Sequence, residues 1–173
     1  LQGYENSGWF GDGLANGRYV SGVGTNFVGL AIAAAYNVGI KDYDIQQAYQ
    51  AVKKNELGWK DRKAGSGKVD VKSFVQKGYV PYIGDQGFIT KPSGAKFSAS
   101  HTLEYSFSSY AAAQMAKQLG HNQDYEQLLK NSNNWKNLFD ESTDFIRPKT
   151  LDGSFIEDFD PEQNLAELHR KHL

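Results

Sequence analysis

The stretch HTLEYSFSSYAAAQMAKQLG, residues 101–120, carries the longest helical pattern in the chain. Its large apolar residues recur mostly at spacings of three to five, close to the periodicity of one face of an α-helix. These residues are Leu103, Phe107, Tyr110, Met115 and Leu119. Ser98 or Ser100 is a candidate N-cap, and Gly120 is a natural helix end. We therefore predict a helix over about residues 101–119.

Further helical patterns lie on both sides of this stretch. They cover about residues 26–38, 44–57, 69–77, 123–138 and 161–170. The first is apolar on most sides, so we expect it to be buried. Thr25 is its candidate N-cap and Gly39 follows its end, while Asp42 or Asp44 can cap the next helix. Strand-like pieces such as residues 144–146 are short. The pattern predicts an all-α fold in which helices pair through turns and long irregular loops.

The composition excludes several classes of protein. The chain has 173 residues, a net charge of -1 and a mean hydropathy of -0.60, so neither a nucleic-acid partner nor a membrane is expected. With no cysteine, it has neither disulfides nor thiolate metal sites. The chain begins at Leu1 rather than at a methionine, which suggests a processed product, a fragment or an incomplete sequence.

Three motifs carry a resemblance to a known family. Residues 100–105, Ser-His-Thr-Leu-Glu-Tyr, resemble the "s.TLEYaydDw" pattern of glycoside hydrolase family 92, the calcium-dependent exo-α-mannosidases. Residues 78–81, Gly-Tyr-Val-Pro, resemble its "GYvP", and residues 39–55 resemble its "kGi.dfd...AyeAmkkna". The order and spacing of the motifs agree over about residues 15–161.

The resemblance implies a fold and an activity. The family's (α/α)6 barrel has twelve helices, so this chain is expected to form about half of one. We therefore expect residues 1–173 to be a single partial helical domain, with a loop-rich entry segment over 1–24 and helical hairpins over 25–173. The implied activity is inverting hydrolysis of terminal α-mannose from glycans, in an extracellular or periplasmic setting. Calcium is the cofactor expected for the family.

The catalytic motifs of the family are expected outside this chain. As the resemblance implies, the general acid, the general base and the calcium ligands follow the Phe-Asp-Pro motif at residues 159–161. Glu162 is only a weak echo of the general-acid segment, and its alternative is a solvated helix start. Half a toroid would also expose large apolar faces, which soluble monomers avoid. We therefore predict packing against further protein that completes the barrel, from the same polypeptide or other chains.

Two departures from the family pattern favour a second hypothesis. Thr25 and Asn26 stand where the family has a Gly-Asp-His-like turn, and Ser108 and Ser109 stand where it has two acids. If the replaced acids bind sugar hydroxyls in the family, sugar binding is expected to be weaker in this chain. The alternative function is therefore a non-catalytic structural or carbohydrate-binding protein.

Four residues are candidates for sugar binding: Glu104, His101, Trp9 and Arg147. No catalytic residue is assigned, and Glu104 is the one candidate carboxylate. Its alternative is a helix-start capping interaction with Ser100 or His101. Ordinary structural roles are the alternatives for His101, Trp9 and Arg147.

No metal ligands are predicted in this chain. Six acids gather in two loops, namely Asp140, Glu141, Asp144, Glu157, Asp158 and Asp160. They lack the spacing of an EF-hand, so a solvated surface is the preferred interpretation.

Overall fold

The computed structural model describes residues 1–11, 13–15, 18–20, 26–62, 66–83 and 97–162. The helices are α1 (Gln2–Ser7), α2 (Val28–Asn37), α3 (Ile45–Leu57), α4 (Val71–Lys77), α5 (Ser98–Gln118), α6 (Asn122–Ser132) and a 3-10 helix (Asn134–Leu138). The strands are β1 (Gly13–Ala15), β2 (Arg18–Val20), β3 (Phe139–Asp140) and β4 (Phe145–Ile146). They form two small antiparallel pairs, β1 with β2 and β3 with β4. The mostly helical fold confirms the predicted class.

The core is built around α5, which packs against α2, α3, α6 and the 3-10 helix. Small residues of α5, including Ala112, Ala113 and Ala116, are completely or almost completely buried and let neighbouring helices approach closely. Tyr49 of α3 and Leu128 of α6 fill the space around them. Each large apolar side chain buried in this way contributes roughly 1.5–3 kcal/mol relative to exposure.

The helix ends follow the sequence signals in part. Asp44 caps α3, since its carboxylate accepts a hydrogen bond from Gln47 N at 2.9 Å. The candidate Ser98 and Ser100 caps are wrong, because α5 begins at Ser98 and both serines lie inside it. The Ser98 hydroxyl instead donates to Val80 O at 2.8 Å, tying α5 to the segment that follows α4.

Other boundaries also differ from the prediction. The helix predicted over 123–138 is divided into α6 and the 3-10 helix, which begins at Asn134. The loop-rich entry segment contains α1, which was not predicted because its sequence has no apolar periodicity. Pro161 and Glu162 lie in a turn, and the rest of the helix predicted there falls outside the described residues.

The helix α2 is less buried than its composition predicts. Gly29, Ala33 and Tyr36 are buried, whereas Ala31 and Ala34 are exposed. The described neighbours α3 and α5 cover only one stripe of α2, so its apolar composition exceeds what they bury. No helix of the described part combines the length and hydrophobicity needed to cross a bilayer.

Candidate functional site

A buried ion pair lies between α3, α5 and the segment that leads into α4. Lys68 Nζ is 2.6 Å from Glu56 Oε2, and the two side chains are 0% and 1% exposed. Glu56 occupies the last turn of α3, whereas Lys68 lies in the segment before α4. Two opposite charges are thereby held together away from water, where an unpaired charge would be costly.

Two serines of α5 complete the surroundings of this pair. Ser108 Oγ donates to Glu56 Oε2 at 3.1 Å and accepts a hydrogen bond from Lys68 Nζ. Ser109 Oγ lies 3.3 Å from the same carboxylate oxygen. The residues that depart from the family's two acids therefore bind a charge pair inside the protein. We call Glu56, Lys68, Ser108 and Ser109 the buried polar cluster.

The electrostatics of the cluster are set by its burial. Loss of water lowers the pKa of Lys68, and the Glu56 carboxylate opposes this shift by favouring the charged ammonium. Glu104 acts in the same direction as Glu56. Among the described residues Glu56 Oε1 has no hydrogen-bond donor, although it lies near Gly29 of α2. The cluster is thus held mainly through one oxygen of Glu56.

His101 lies in the interior of the first part of α5. Its Nδ1 is 3.6 Å from Asp70 Oδ2, and its side chain is 2% exposed. The imidazole stacks on Tyr105, with 5.3 Å between ring centroids and 24° between planes. His101 is the fourth residue of α5, so its packing agrees with the structural alternative, a histidine at a helix start. Contact with sugar stays a prediction.

Glu104 lies at the edge of the buried polar cluster. Its side chain is partly exposed, and its charge acts on Lys68. The capping interaction proposed as its alternative is wrong, because α5 starts six residues earlier and has no side-chain cap. The Glu104 carboxylate can therefore contact solvent while it interacts electrostatically with the Lys68 ammonium. Its role in sugar binding stays a prediction.

Trp9 is a structural side chain in this arrangement. It is 3% exposed, and its Nε1 donates to Asp61 O at 3.2 Å. Lys54 Nζ lies 4.4 Å from the indole ring centroid, so a cation occupies one face of the ring. The other contacts include Gly67, the residue before Lys68. Trp9 thus packs against the segment that carries Lys68 of the buried polar cluster. Contact of Trp9 with sugar stays a prediction.

Arg147 makes its contacts at the β3–β4 hairpin. Its guanidinium lies 2.5 Å from Asp140 Oδ2 and donates to Ile156 O at 2.5 Å. Its Cζ is also 5.3 Å and 5.4 Å from the ring centroids of Phe155 and Phe159. These contacts fasten the loop after β4 to the hairpin. Sugar binding by Arg147 stays a prediction.

The acids of the two loops divide into one paired residue and a solvated group. Hydrogen bonds from Ser142 and then Arg147 lower the pKa of Asp140 to about 2. The other acids of this group are exposed: Glu141, Asp144, Glu157, Asp158 and Asp160. Nowhere in the described ranges do three His, Cys, Asp or Glu side chains gather as a metal site would require.

The structure brings together residues that the sequence left separate. Glu104 acts on Lys68, His101 packs on Tyr105, and Lys68 lies 5.0 Å from the centroid of that tyrosine ring. Sequence reasoning missed Glu56 and Lys68, because a charge at a helix end and a lysine in a loop usually face solvent. The uncharged pair at Ser108–Ser109 was the one available signal.

Comparison with known proteins identifies the family of this chain. Residues 1–171 match the model of the glycosyl hydrolase family 92 catalytic domain. A protein from Arthroderma benhamiae described as an uncharacterized secreted glycosidase is 33% identical over 171 residues, with 93% of this chain and 20% of the relative covered.

Solved structures agree with this match. A family 92 α-mannosidase from Bacteroides thetaiotaomicron, solved also with mannoimidazole, is 25% identical, with a TM-score of 0.66 over 80% of this chain and 16% of its own. A family 92 inverting mannosidase from the same bacterium has a TM-score of 0.77 at 23% identity, covering 94% of this chain and 21% of its own.

These superpositions confirm the predicted α/α-toroid fold. The chain spans about a fifth of the length of the relatives that it matches. The family match, in contrast, runs along almost the entire chain. This protein belongs to glycosyl hydrolase family 92 and corresponds to part of its catalytic domain.

Proposed function

We propose that this chain is part of an exo-α-mannosidase that hydrolyses terminal α-mannose from glycans with inversion. The observation that carries the proposal is the match of residues 1–171 to the family's catalytic domain. The two mannosidase structures support it, since their helices superpose on most of this chain. The secreted relative favours an extracellular setting for the activity.

The proposed role of this chain is to build one side of the sugar site. An inverting hydrolase needs a general acid and a general base, about 6.5–9.5 Å apart, with water between them. Glu56 is unsuitable for either task, because it is buried and paired with Lys68. Glu104 is partly exposed and is the carboxylate that we assign to contact with a sugar hydroxyl. In this proposal further protein supplies the catalytic pair.

Calcium enters only as an expectation from the family. It takes six to eight oxygen ligands, usually including several carboxylates. The described residues do not fit such an ion, because none of their His, Cys, Asp and Glu side chains form a group of three. We therefore propose that the calcium ligands belong to the protein that completes the barrel.

A second candidate function is a non-catalytic carbohydrate-binding or structural role. The observation that favours it is the buried polar cluster, in which Ser108 and Ser109 contact Glu56 inside the protein. These serines replace acids of the family pattern and are almost completely buried. Polar groups that bind one another inside the protein take no part in hydrolysis, so this observation favours a non-catalytic role.

The test is to follow α-mannosidase activity through purification from the organism that makes this protein. Fractions are assayed with 4-nitrophenyl α-mannoside, and the tryptic peptide of residues 118–130 is quantified by mass spectrometry. We expect peptide and activity to coelute in a polypeptide or complex well above 19.3 kDa. Proton NMR of the first product should show β-mannose, the product of inversion.

Two controls separate the alternatives. Activity that is lost with EDTA and restored by calcium would support the cofactor expectation, whereas EDTA-resistant activity would exclude it. Recovery of the peptide only in inactive material of 19.3 kDa would reject the hydrolase proposal. Retention of that material on a mannan column would then favour the carbohydrate-binding function. If the column does not retain it, a structural function would be favoured.

A further inference from the structure

Two side chains of α5 bind the backbone of the segment that follows α4. The Thr102 hydroxyl accepts a hydrogen bond from Val80 N at 2.9 Å, and the Ser98 hydroxyl donates to Val80 O at 2.8 Å. All three residues are buried. Thr102 and Ser98 are four positions apart and so lie on one face of the helix. Both backbone polar groups of Val80 are thereby satisfied by α5. We call Ser98, Thr102 and Val80 the Val80 clip.

Apolar packing strengthens the same junction. Val80, Phe74 and Tyr105 form a small buried cluster that joins the segment after α4 to α4 and α5. The rings of Phe74 and Tyr105 meet edge to face, with 5.5 Å between their centroids. Tyr105 directly follows Glu104 in the sequence. The Val80 clip and the apolar cluster therefore both act on the turn of α5 that carries Glu104.

The segment around Val80 is anchored independently of α5. Tyr82 N donates to Lys149 O at 2.7 Å, and the Tyr79 hydroxyl donates to Thr150 O at 3.0 Å. These bonds flank Val80 and fasten its segment to the loop after β4. The Val80 clip therefore ties the first turns of α5 to a segment that is itself fixed in place.

The start of α5 lacks the usual means of fixing a helix end. Its N-cap residue, Phe97, makes no side-chain capping hydrogen bond. Thr102 and Glu104 are two positions apart, about 200° around the helix. Thr102 accordingly faces the core, whereas Glu104 is partly exposed. Thr102 can thus affect the Glu104 carboxylate only through the position of the helix that carries both.

We propose that Thr102 and Ser98 are positioning residues for Glu104, which they hold at the place on α5 where its carboxylate meets a sugar hydroxyl. The inference rests on the proposed function, in which Glu104 contacts sugar. A carboxylate must lie within about 3 Å of the hydroxyl that it binds. A small shift of α5 along its axis therefore loses the contact although the helix stays folded, and a misplacement of ~1 Å can cost about 100-fold.

The test is a double-mutant cycle in the complete family 92 protein that carries this chain. Thr102→Val keeps the shape of the side chain but cannot accept from Val80 N, and Glu104→Ala removes the carboxylate. Each change alone should weaken mannoimidazole binding about tenfold, as expected for the loss of one hydrogen bond to a charged group. Each should likewise raise KM for 4-nitrophenyl α-mannoside with little change in kcat. In the Glu104→Ala background, Thr102→Val should have almost no further effect.

Three further variants serve as controls. Thr102→Ser keeps the hydroxyl and should restore the wild-type affinity. Ser106→Ala is the matched control, because this buried hydroxyl bonds to Thr102 O within α5 and should leave the affinity unchanged. Ser98→Ala removes the other bond of the Val80 clip and repeats the cycle if Thr102→Val does not fold. Circular dichroism melting of each variant establishes which ones are folded.

Two outcomes would overturn the inference. One is an equal loss of affinity from Thr102→Val with and without Glu104, which would indicate a general effect on the fold. The other is unchanged affinity in folded Thr102→Val or Ser98→Ala protein. Failure of the proposed function is distinguishable, because a protein that binds mannoimidazole without hydrolysing mannoside rejects only hydrolysis, and the cycle is then measured on affinity alone. Absence of both binding and hydrolysis would reject both proposals.

Discussion

Lys68 Nζ lies 2.6 Å from Glu56 Oε2, and no more than 1% of either side chain is exposed. The two residues are twelve positions apart and come from α3 and from the segment before α4. Their pairing joins these elements to α5 through the Ser108 hydroxyl. The buried polar cluster is thus a junction of three segments, and its integrity can be measured.

Replacing Lys68 by methionine should strongly destabilise the protein. The change leaves Glu56 charged and buried without its partner, which costs about 3–5 kcal/mol. Denaturant unfolding measures the loss, with Lys60→Met as a control at an exposed lysine. Combining Lys68→Met with Glu56→Gln should recover part of the stability. Strict additivity of the two single changes would show that the ion pair contributes no coupling.

Ser108→Ala should cost more stability than Ser106→Ala. Both serines are buried on α5, but only Ser108 bonds to charged groups. A hydrogen bond to a charge is worth about 1.5–3 kcal/mol, against about 0.5–1.5 kcal/mol for a neutral one such as the bond from Ser106 to Thr102. Equal losses in chemical denaturation would contradict the assigned role of Ser108.

Gly67→Ala should be more damaging than Gly120→Ala. Both glycines have left-handed backbone angles, with φ of +61° and +78°, so either substitution costs about 1–2 kcal/mol. A methyl group at Gly67 would in addition lie 3.0 Å from Trp9 Cε3 and from Arg62 Cδ, whereas nothing lies within 4 Å at Gly120. Thermal unfolding of both variants tests this difference, and a smaller loss at Gly67 would refute the packing of Trp9.

Asp124 should make stability depend on pH in the acid range. Burial would raise the pKa of Asp124, but hydrogen bonds from Lys53 and Tyr49 outweigh burial and lower it below the ordinary value. Because the pKa is depressed in the folded state, this stability is present above the unfolded pKa of 3.8 and is lost as pH falls through the folded pKa. Asp124→Asn should therefore cost about 1 kcal/mol at neutral pH.

The difference between wild type and Asp124→Asn is measured as free energies of unfolding at several pH values. It should shrink as the pH is lowered from 5 toward 2. A constant difference would mean that the carboxylate charge contributes nothing. Asp42→Asn, at an exposed acid, serves as the control.

Asp140 should titrate at unusually low pH. Hydrogen bonds from Ser142 and Arg147 lower its pKa to about 2. Carbon-13 NMR of the Asp140 carboxyl group should therefore show a midpoint near this value. Arg147→Lys removes the planar guanidinium that also holds Ile156 O and should raise the midpoint. An ordinary midpoint in the wild type would contradict the geometry of this hairpin.

Local patterns explain why much of the fold was predictable. The apolar period of residues 101–119 predicted α5. Asp44 caps α3 as predicted, by accepting a hydrogen bond from Gln47 N. These signals act between residues three or four apart, so they are readable along the chain. The family motifs likewise are short runs of sequence, and the match over residues 1–171 confirms them.

Patterns along the chain were enough to predict the family, the helical class and most helix positions. Three-dimensional packing, in contrast, buries Glu56 and Lys68 together and lets Ser108, 40 residues beyond Lys68, bind them. It also placed Trp9 in the core and left Phe107 exposed. The physical reason is that helix periodicity is a local property, whereas burial depends on which distant segments pack against each face.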